Sequence, residues 1–244
     1  FMSPVSNLRS DGYGGDEEGR LRIVHEIIDA VRAAAGSDYT VGIRITADQF
    51  ALGGLNLDDM KRIVPKLTAS GKLDYVNVTL MGMHGATIAP MYIAPGRFVY
   101  LAAGIKEVVD LPVFCIGRIN DPVMAEDILA KNQADMVGMT RANICDPELP
   151  NKAREGRLDE IRPCIACNEG CWGRISEGLA ITCAINPSVG REKETEITPA
   201  RVKKKVMVIG GGIAGMEAAR VAAARGHQVS LYEEDEEVGG QWIL

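Results

Sequence analysis

The feature that most constrains this chain is a regular switching between two hydrophobic periods. Val24, Ile27, Ile28, Val31 and Ala35 recur at helical spacing, so 16–35 reads as an amphipathic helix with Gly36 as its left-handed stop. The stretch 41–46 then reads as a buried strand. A helix follows over 58–70, with Met60, Ile63, Val64 and Leu67 on one face and Pro65 as a place for a kink. The alternation continues with a strand at 75–79, a helix at 97–109, a strand at 112–116, a helix at 122–131 and a strand at 135–139. Asp121-Pro122 is a well-formed helix start, an acceptor side chain followed by a residue with no N–H to satisfy. Short strands that alternate with helices imply an α/β fold with a parallel sheet.

An open sheet and half of a closed β/α barrel share this local pattern. Both carry their chemistry on the loops that leave the carboxyl ends of the strands, here after Thr46, Thr79, Ile116 and Met139. After residue 160 the texture changes to a Cys/Gly-rich segment with little periodicity, then to a charged linker. From 205 a strand, a glycine-rich turn, an Ala-rich helix and a strand at 228–232 read as one βαβ unit. The expected division is 1–160 for the barrel-like part, 161–190 for the cysteine segment, 191–204 for the linker and 205–244 for the start of a dinucleotide-binding domain. A single βαβ unit cannot bury its own faces, so the sequence reads as cut at its C-terminus.

Composition narrows the class. With 46% hydrophobic residues the chain can bury a substantial core, and a net charge of −6 argues against a general affinity for nucleic acid or anionic lipid. The longest stretch without formal charge, 75–96, contains Pro90, Pro95, three glycines, Asn77 and His84, which is loop chemistry rather than a membrane helix. No signal peptide opens the sequence, and six cysteines are too few for a secreted disulfide scaffold. A reducing, cytoplasmic setting is expected.

Cys164, Cys167, Cys171 and Cys183 form C-x2-C-x3-C-x11-C. Three thiolates within eight residues can wrap one face of a [4Fe–4S] cluster while a fourth closes it from a loop; a structural zinc ion is the competing reading. Cys115 is expected as a buried strand residue and Cys145 as a loop thiol. Gly210-x-Gly212-x-x-Gly215 follows a strand and opens a helix, with Glu233 at the end of the next strand. That is the setting in which glycines admit a pyrophosphate to a helix N-terminus and an acid binds a ribose hydroxyl. The blander reading is a glycine-rich packing turn, and FAD and NAD are not separated by it. Gly117-Arg118 and Gly138-Met139-Thr140-Arg141 leave adjacent strands and together would cradle a phosphate. Arg44, in mid-strand, needs an anionic or hydrogen-bonding partner. His84, in a glycine-flanked loop, is placed to donate a hydrogen bond or pass a proton, whereas His25 and His227 read as solvated.

Asn7 to Gly15, the Val-Gly-Ile-Arg strand, Gly117-Arg118-Ile119-Asn120-Asp121-Pro122, Gly138-Met139-Thr140-Arg141, Asp146-Pro147-Glu148-Leu149-Pro150 and the cysteine segment occur in that order. In this the chain resembles the iron–sulfur flavoenzymes of the old yellow enzyme class, the 2,4-dienoyl-CoA reductase and trimethylamine dehydrogenase group. The resemblance implies the C-terminal half of a TIM (β/α)8 barrel, the cluster segment and the first βαβ unit of a Rossmann-like FAD domain. It makes Arg44 a contact to the pyrimidine edge of FMN, and gives the FMN phosphate to Gly117, Arg118, Gly138, Thr140 and Arg141. His84 becomes the active-site histidine, although Met83-His84-Gly85 departs from the reductases. Gly210, Gly212, Gly215 and Glu233 would hold FAD, with Gln241 near its flavin side.

Two further departures are Leu8, where the family usually has an arginine, and DEEGR at 16–20. The resemblance also implies an excerpt, since Phe1 is no natural start and a complete barrel alone takes about 250 residues. The activity it implies runs from NAD(P)H through FAD and the cluster to FMN, which reduces an activated alkene such as a 2,4-dienoyl-CoA or an enone. The rivals are oxidation of an N-methylated amine by the same cofactors, with Tyr92, Phe98 and Tyr100 as an aromatic enclosure, and a zinc-stabilised, non-catalytic piece. The expected partners are a small-molecule substrate and the rest of its own polypeptide, and a homo-oligomer is compatible with the sequence.

Overall fold

In the computed structural model, which describes residues 1–80 and 88–243, the alternating periods resolve into two units, Phe1–Val189 and Gly190–Leu244. The first unit opens with α1 (Glu17–Ala35), capped by the Asp16 carboxylate, which accepts from Gly19 N–H. Then follow β1 (Gly42–Thr46), α2 (Leu57–Thr68), β2 (Tyr75–Thr79), α3 (Val99–Lys106), β3 (Val113–Ile116), α4 (Pro122–Ala130) and β4 (Met136–Gly138). The strands pair in parallel in chain order, β1-β2-β3-β4.

Register is set by a device used twice. Asp74, just before β2, takes the Val41 N–H with its carboxylate at 2.7 Å and gives its own N–H to the Val41 carbonyl. Asp135, just before β4, repeats this on Val113. The Val41 N–H and the Arg32 guanidinium hold the Asp74 carboxyl below the usual carboxylate range, and Lys106 with the Val113 N–H does the same for Asp135. Each aspartate thus fixes the entry of the preceding strand, and a one-residue slip would exchange the two faces of the sheet.

Those faces differ. Ile45, Val76, Val78, Val113 and Cys115 are buried with Met60, Ile63, Val64 and Leu67 of α2 and Leu101, Ala102 and Ile105 of α3 in one apolar core. Paired residues of the opposite set, Arg44 with Asn77 and Ile116 with Gly138, lie on the other face. Helices on one side and a mixed polar and apolar face on the other fit the C-terminal half of a β/α barrel, whose inner face carries the site. Pro65 is accommodated inside α2, near its end. Ile27 and Val31, read as part of the buried stripe of α1, are 53% and 43% exposed, because the helix seats on Leu21 and Ile28 instead.

The second unit holds β5 (Lys205–Ile209), α8 (Ile213–Ala224) and β6 (Gln228–Tyr232), with β5 and β6 parallel and in full register. Met207, Ile209 and Tyr232 are exposed, whereas Val206, Val208, Val229 and Leu231 are partly covered. His227 is not simply solvated: its Nδ1 accepts the Lys204 N–H. Among the described residues no helix is long and apolar enough to cross a membrane.

Beyond β4 the first unit continues with α5 (Thr140–Cys145), α6 (Leu149–Arg154), a 3-10 turn (Leu158–Glu160), a π-helical turn (Glu169–Gly173) and α7 (Arg174–Ser176). Asp146 joins these pieces. Its side chain, 1% exposed, pairs with Lys152 at 2.7 Å and accepts the N–H groups of Arg162 and Glu148. Burial opposes its ionisation, but Lys152 and these donors outweigh burial and hold the carboxyl below its ordinary 3.8. A lowered folded value stabilises the protein above the unfolded value, and that contribution is lost as pH falls through the folded one. Asp146→Ala should therefore cost about 3–5 kcal/mol near neutrality by leaving Lys152 unpaired. In urea titrations the gap between wild type and variant should narrow as pH drops below about 4. A gap that is small at neutrality, or does not change with pH, would refute the clamp.

Candidate functional site

The carboxyl ends of β1 to β4 open into a cavity of about 330 Å³. Its wall brings together Arg44, Gly117, Arg118, Gly138, Thr140 and Arg141, every barrel residue singled out in the sequence apart from His84. It also includes Cys164 and Cys171. Leu80, Ile88, Phe98 and Ile116 supply the apolar part.

The two arginine loops are shaped by backbone conformations that few residues adopt. Gly117 has φ 140°, and a Cβ there would sit 3.1 Å from the Cβ of Phe98. Arg118 follows at φ 53°, a left-handed conformation that costs a non-glycine residue roughly 1–2 kcal/mol. Its Nη1 donates to the Met91 carbonyl at 2.8 Å, while its Nε is buried without a hydrogen-bond partner among the described residues. A buried guanidinium N–H left unmatched is costly, and an anion in the cavity would satisfy it. Thr140 and Arg141 open α5, whose N-terminus has no side-chain cap.

Arg44 lies on β1, the outermost of the four strands, with its side chain exposed and, among the described residues, 3.5 Å from Thr79 Oγ1. Beside it, Asn77 Oδ1 is buried with no partner among the described residues.

All four cysteines of the C-x2-C-x3-C-x11-C motif line a second, smaller cavity that shares Arg141, Ile144, Cys164, Ala166 and Cys171 with the first. Among the described residues no three His, Cys, Asp or Glu side chains converge closely enough for a single metal ion. A four-iron cluster takes one thiolate per iron, and the four cysteines around one void supply that number. Gly170 lets the turn bearing Cys171 approach the irregular stretch bearing Cys183, since a Cβ there would lie 2.6 Å from the Thr182 carbonyl oxygen. Burial pushes the Cys164 thiol up, against the Ala166 N–H and Arg141.

Cys145 was expected as a loop thiol. It is instead the last residue of α5 and fully buried, with its thiol pushed up to about 12 by burial and by its neighbours Cys183 and Cys164. No motif flagged α5 as a helix, because six residues are too few for a periodic signal. Cys115 is the buried strand residue expected, its thiol pushed up to about 11 by burial. His84 lies outside the described residues. Of the three aromatic residues named for an enclosure, Phe98 lines the cavity and packs edge-on against Phe50 with ring centroids 5.8 Å apart, while Tyr92 is 83% and Tyr100 43% exposed.

In the second unit Gly210 turns at φ 97°, and a Cβ on Gly215 would overlap the Gly210 carbonyl. Gly212 caps α8 without a side chain, so the first-turn N–H groups point toward no protein acceptor of that kind. The Glu233 carboxylate accepts from the N–H groups of Gly211, Asp235 and Glu234, which hold it below the usual carboxylate range. Gly239 closes onto the turn by donating to the Gly211 carbonyl at 2.9 Å, and Gln241 follows on an exposed 3-10 turn.

Comparison with known proteins agrees with both units. The profile of the FAD dependent oxidoreductase family matches residues 205–243. Over 99% of its length the chain is 47% identical to an NADH oxidase of Thermoanaerobacter brockii. Over its full length it is 44% identical to an N,N-dimethylglycine/sarcosine dehydrogenase of Chromohalobacter salexigens. A 2-naphthoyl-CoA reductase solved with 2-naphthoyl-CoA superposes on 98% of the chain with a TM-score of 0.91 at 35% identity. The chain spans 38%, 36% and 37% of the lengths of these three proteins. The profile of the NADH:flavin oxidoreductase / NADH oxidase family matches residues 1–160, and the chain belongs to that family.

Proposed function

We propose that the chain is part of an iron–sulfur flavoprotein that uses NAD(P)H to reduce an activated alkene, a 2,4-dienoyl-CoA or an enone. One observation carries this reading: the cavity lined by Arg44, Arg118 and Arg141 is also lined by Cys164 and Cys171, so a flavin pocket and a cluster pocket would share a wall. In it, 1–160 contributes half of the FMN barrel, 161–190 the cluster segment, 191–204 a linker and 205–244 the start of the FAD domain.

FMN would be held at its phosphate by Arg118, by Arg141 and Thr140, and by the backbone at Gly117 and Gly138, with Arg44 toward its ring. The four cysteines would hold a [4Fe–4S] cluster; Gly210, Gly212, Gly215 and Glu233 would hold FAD, with Gln241 near its flavin. When bound, FMN supplies hydride chemistry, the cluster one-electron transfer and FAD the exchange with nicotinamide. The chain's own residues bind and shape. Two arginines neutralise a phosphate, the wall of Leu80, Ile88, Phe98 and Ile116 keeps water from the ring, and His84 is the proposed proton donor.

The relative that acts on N,N-dimethylglycine and sarcosine supports an oxidative second reading, in which an N-methylated amine is the electron source. Anaerobic titration of the full-length protein separates the two, since NAD(P)H should bleach the flavin of a reductase and the amine alone that of a dehydrogenase.

Protein purified without oxygen should carry iron, sulfide and a broad visible absorption bleached by dithionite. Cys183→Ser should lose most of that iron and absorption while retaining FMN. Zinc in place of iron would overturn the cluster assignment.

Arg118→Ala should weaken FMN binding roughly ten- to hundredfold, the effect of removing a charged hydrogen-bond donor from a phosphate. Quenching of flavin fluorescence on stripped protein measures this. An unchanged dissociation constant would exclude Arg118 from the phosphate site.

A further inference from the structure

Arg141 lines both cavities, and its contacts show what lies between them. Its Nη1 donates to the Asn168 Oδ1 at 2.5 Å and to the Ala89 carbonyl at 2.8 Å. Both bonds use one nitrogen. Nε and Nη2 have no protein partner among the described residues, and this free edge suits an anion in the larger cavity. Asn168 directly follows Cys167, and its Nδ2 donates to the Ile88 carbonyl at 2.9 Å. One carboxamide therefore ties the cysteine loop both to the arginine at the start of α5 and to the chain at 88–89.

An asparagine here has a simpler explanation, because Asn168 sits at φ 64°, and asparagine tolerates left-handed backbone better than most residues. Backbone tolerance alone does not account for the two side-chain bonds. Nor does it account for the choice of partner, since Arg141 is the arginine that lines both cavities. Between Cys164 and Cys171 the chain passes through two left-handed residues, Ala166 and Asn168, and lacks regular structure until the π-helical turn. In such a loop the position of Cys167 depends on what holds its neighbour.

We propose that Asn168 is a positioning residue that couples occupancy of the flavin phosphate site to the environment of the iron–sulfur cluster, acting through Arg141. The proposal rests on the cluster and FMN assignments made above. With a phosphate on its free edge the Arg141 guanidinium is drawn from both sides, and the Asn168 carboxamide transmits any movement to the cysteine loop. The carboxamide in turn keeps the guanidinium oriented for the phosphate.

The test uses full-length protein purified anaerobically, stripped of FMN and then reconstituted with FMN itself. Iron content, the electron paramagnetic resonance spectrum of the dithionite-reduced cluster with and without FMN, and the FMN dissociation constant are measured. In wild type the cluster spectrum should shift when FMN binds. Asn168→Gly keeps the left-handed backbone at no steric cost and removes only the carboxamide. It should keep its iron, lose the FMN-dependent shift and bind FMN roughly tenfold more weakly. Asn168→Asp keeps an acceptor for Arg141 but adds a charge that competes with the phosphate, so it should bind FMN more weakly than Asn168→Gly. A purely structural tether predicts the reverse order.

A wild-type spectrum indifferent to FMN, a glycine variant that still responds, or an aspartate variant with wild-type affinity each overturns the coupling. Should Asn168→Gly lose its iron, the aspartate variant decides alone. Wild type without iron defeats the cluster assignment instead, so the two failures are distinct.

Discussion

A segment with almost no apolar core of its own has to be held by polar contacts, and everything proposed for this chain depends on how 161–189 is held against the barrel. Of its residues only Ala166, Asn186 and Val189 are buried, too little for burial to fix a fold. The attachment is made by side chains that satisfy backbone groups across the junction. Asn120 donates to the Cys164 carbonyl at 2.8 Å, Asp146 accepts from Arg162, Asn168 donates to Ile88, and Asn186 donates to the Ile144 carbonyl at 2.9 Å. Net hydrogen bonds of this kind contribute about 1 kcal/mol each, yet leaving any of these part-buried groups unmatched costs more. The segment is therefore held less by attraction than by the cost of its alternatives.

The same contacts explain how two sites come to share a wall. The loop after β3 supplies Gly117 and Arg118 to the larger cavity and, two residues later, Asn120 to the backbone of Cys164. The helix after β4 supplies Thr140 and Arg141 to that cavity and ends in Cys145, beside Cys164 and Cys183. Two consecutive strand ends thus each face both ways, and the parallel order that sets β3 beside β4 brings the cavities together. Asp74 and Asp135, at the opposite ends of the strands, keep that order in register.

Much of this was legible in the sequence because it is local. Strand 75–79 and strand 228–232 have the bounds their periodicity predicts, and the Asp121-Pro122 start does cap α4. Where the reading went astray, the deciding partner lay far away. Cys145 looked like a loop thiol because α5 is a single short helix, and its neighbours Cys164 and Cys183 lie far along the chain. Asn168 carried no signal at all: an asparagine in a cysteine-rich loop is unremarkable until Arg141 is seen on its oxygen.

Guanidinium chemistry explains why an arginine, not a lysine, suits position 141. A lysine ammonium is a point charge that would settle on one set of acceptors, whereas a planar guanidinium presents separate edges in fixed geometry. Here Nη1 is committed to the Ala89 carbonyl and Asn168 Oδ1, and a second anionic partner can be taken without surrendering the first. Arg118 is built the same way, with Nη1 on the Met91 carbonyl and Nε left over. Two arginines on adjacent loops, each anchored by one nitrogen, have already lost the side-chain freedom that binding a phosphate would otherwise have to remove. Preorganisation of that kind, rather than net positive charge, is what the proposed anion site relies on in a chain of net charge −6.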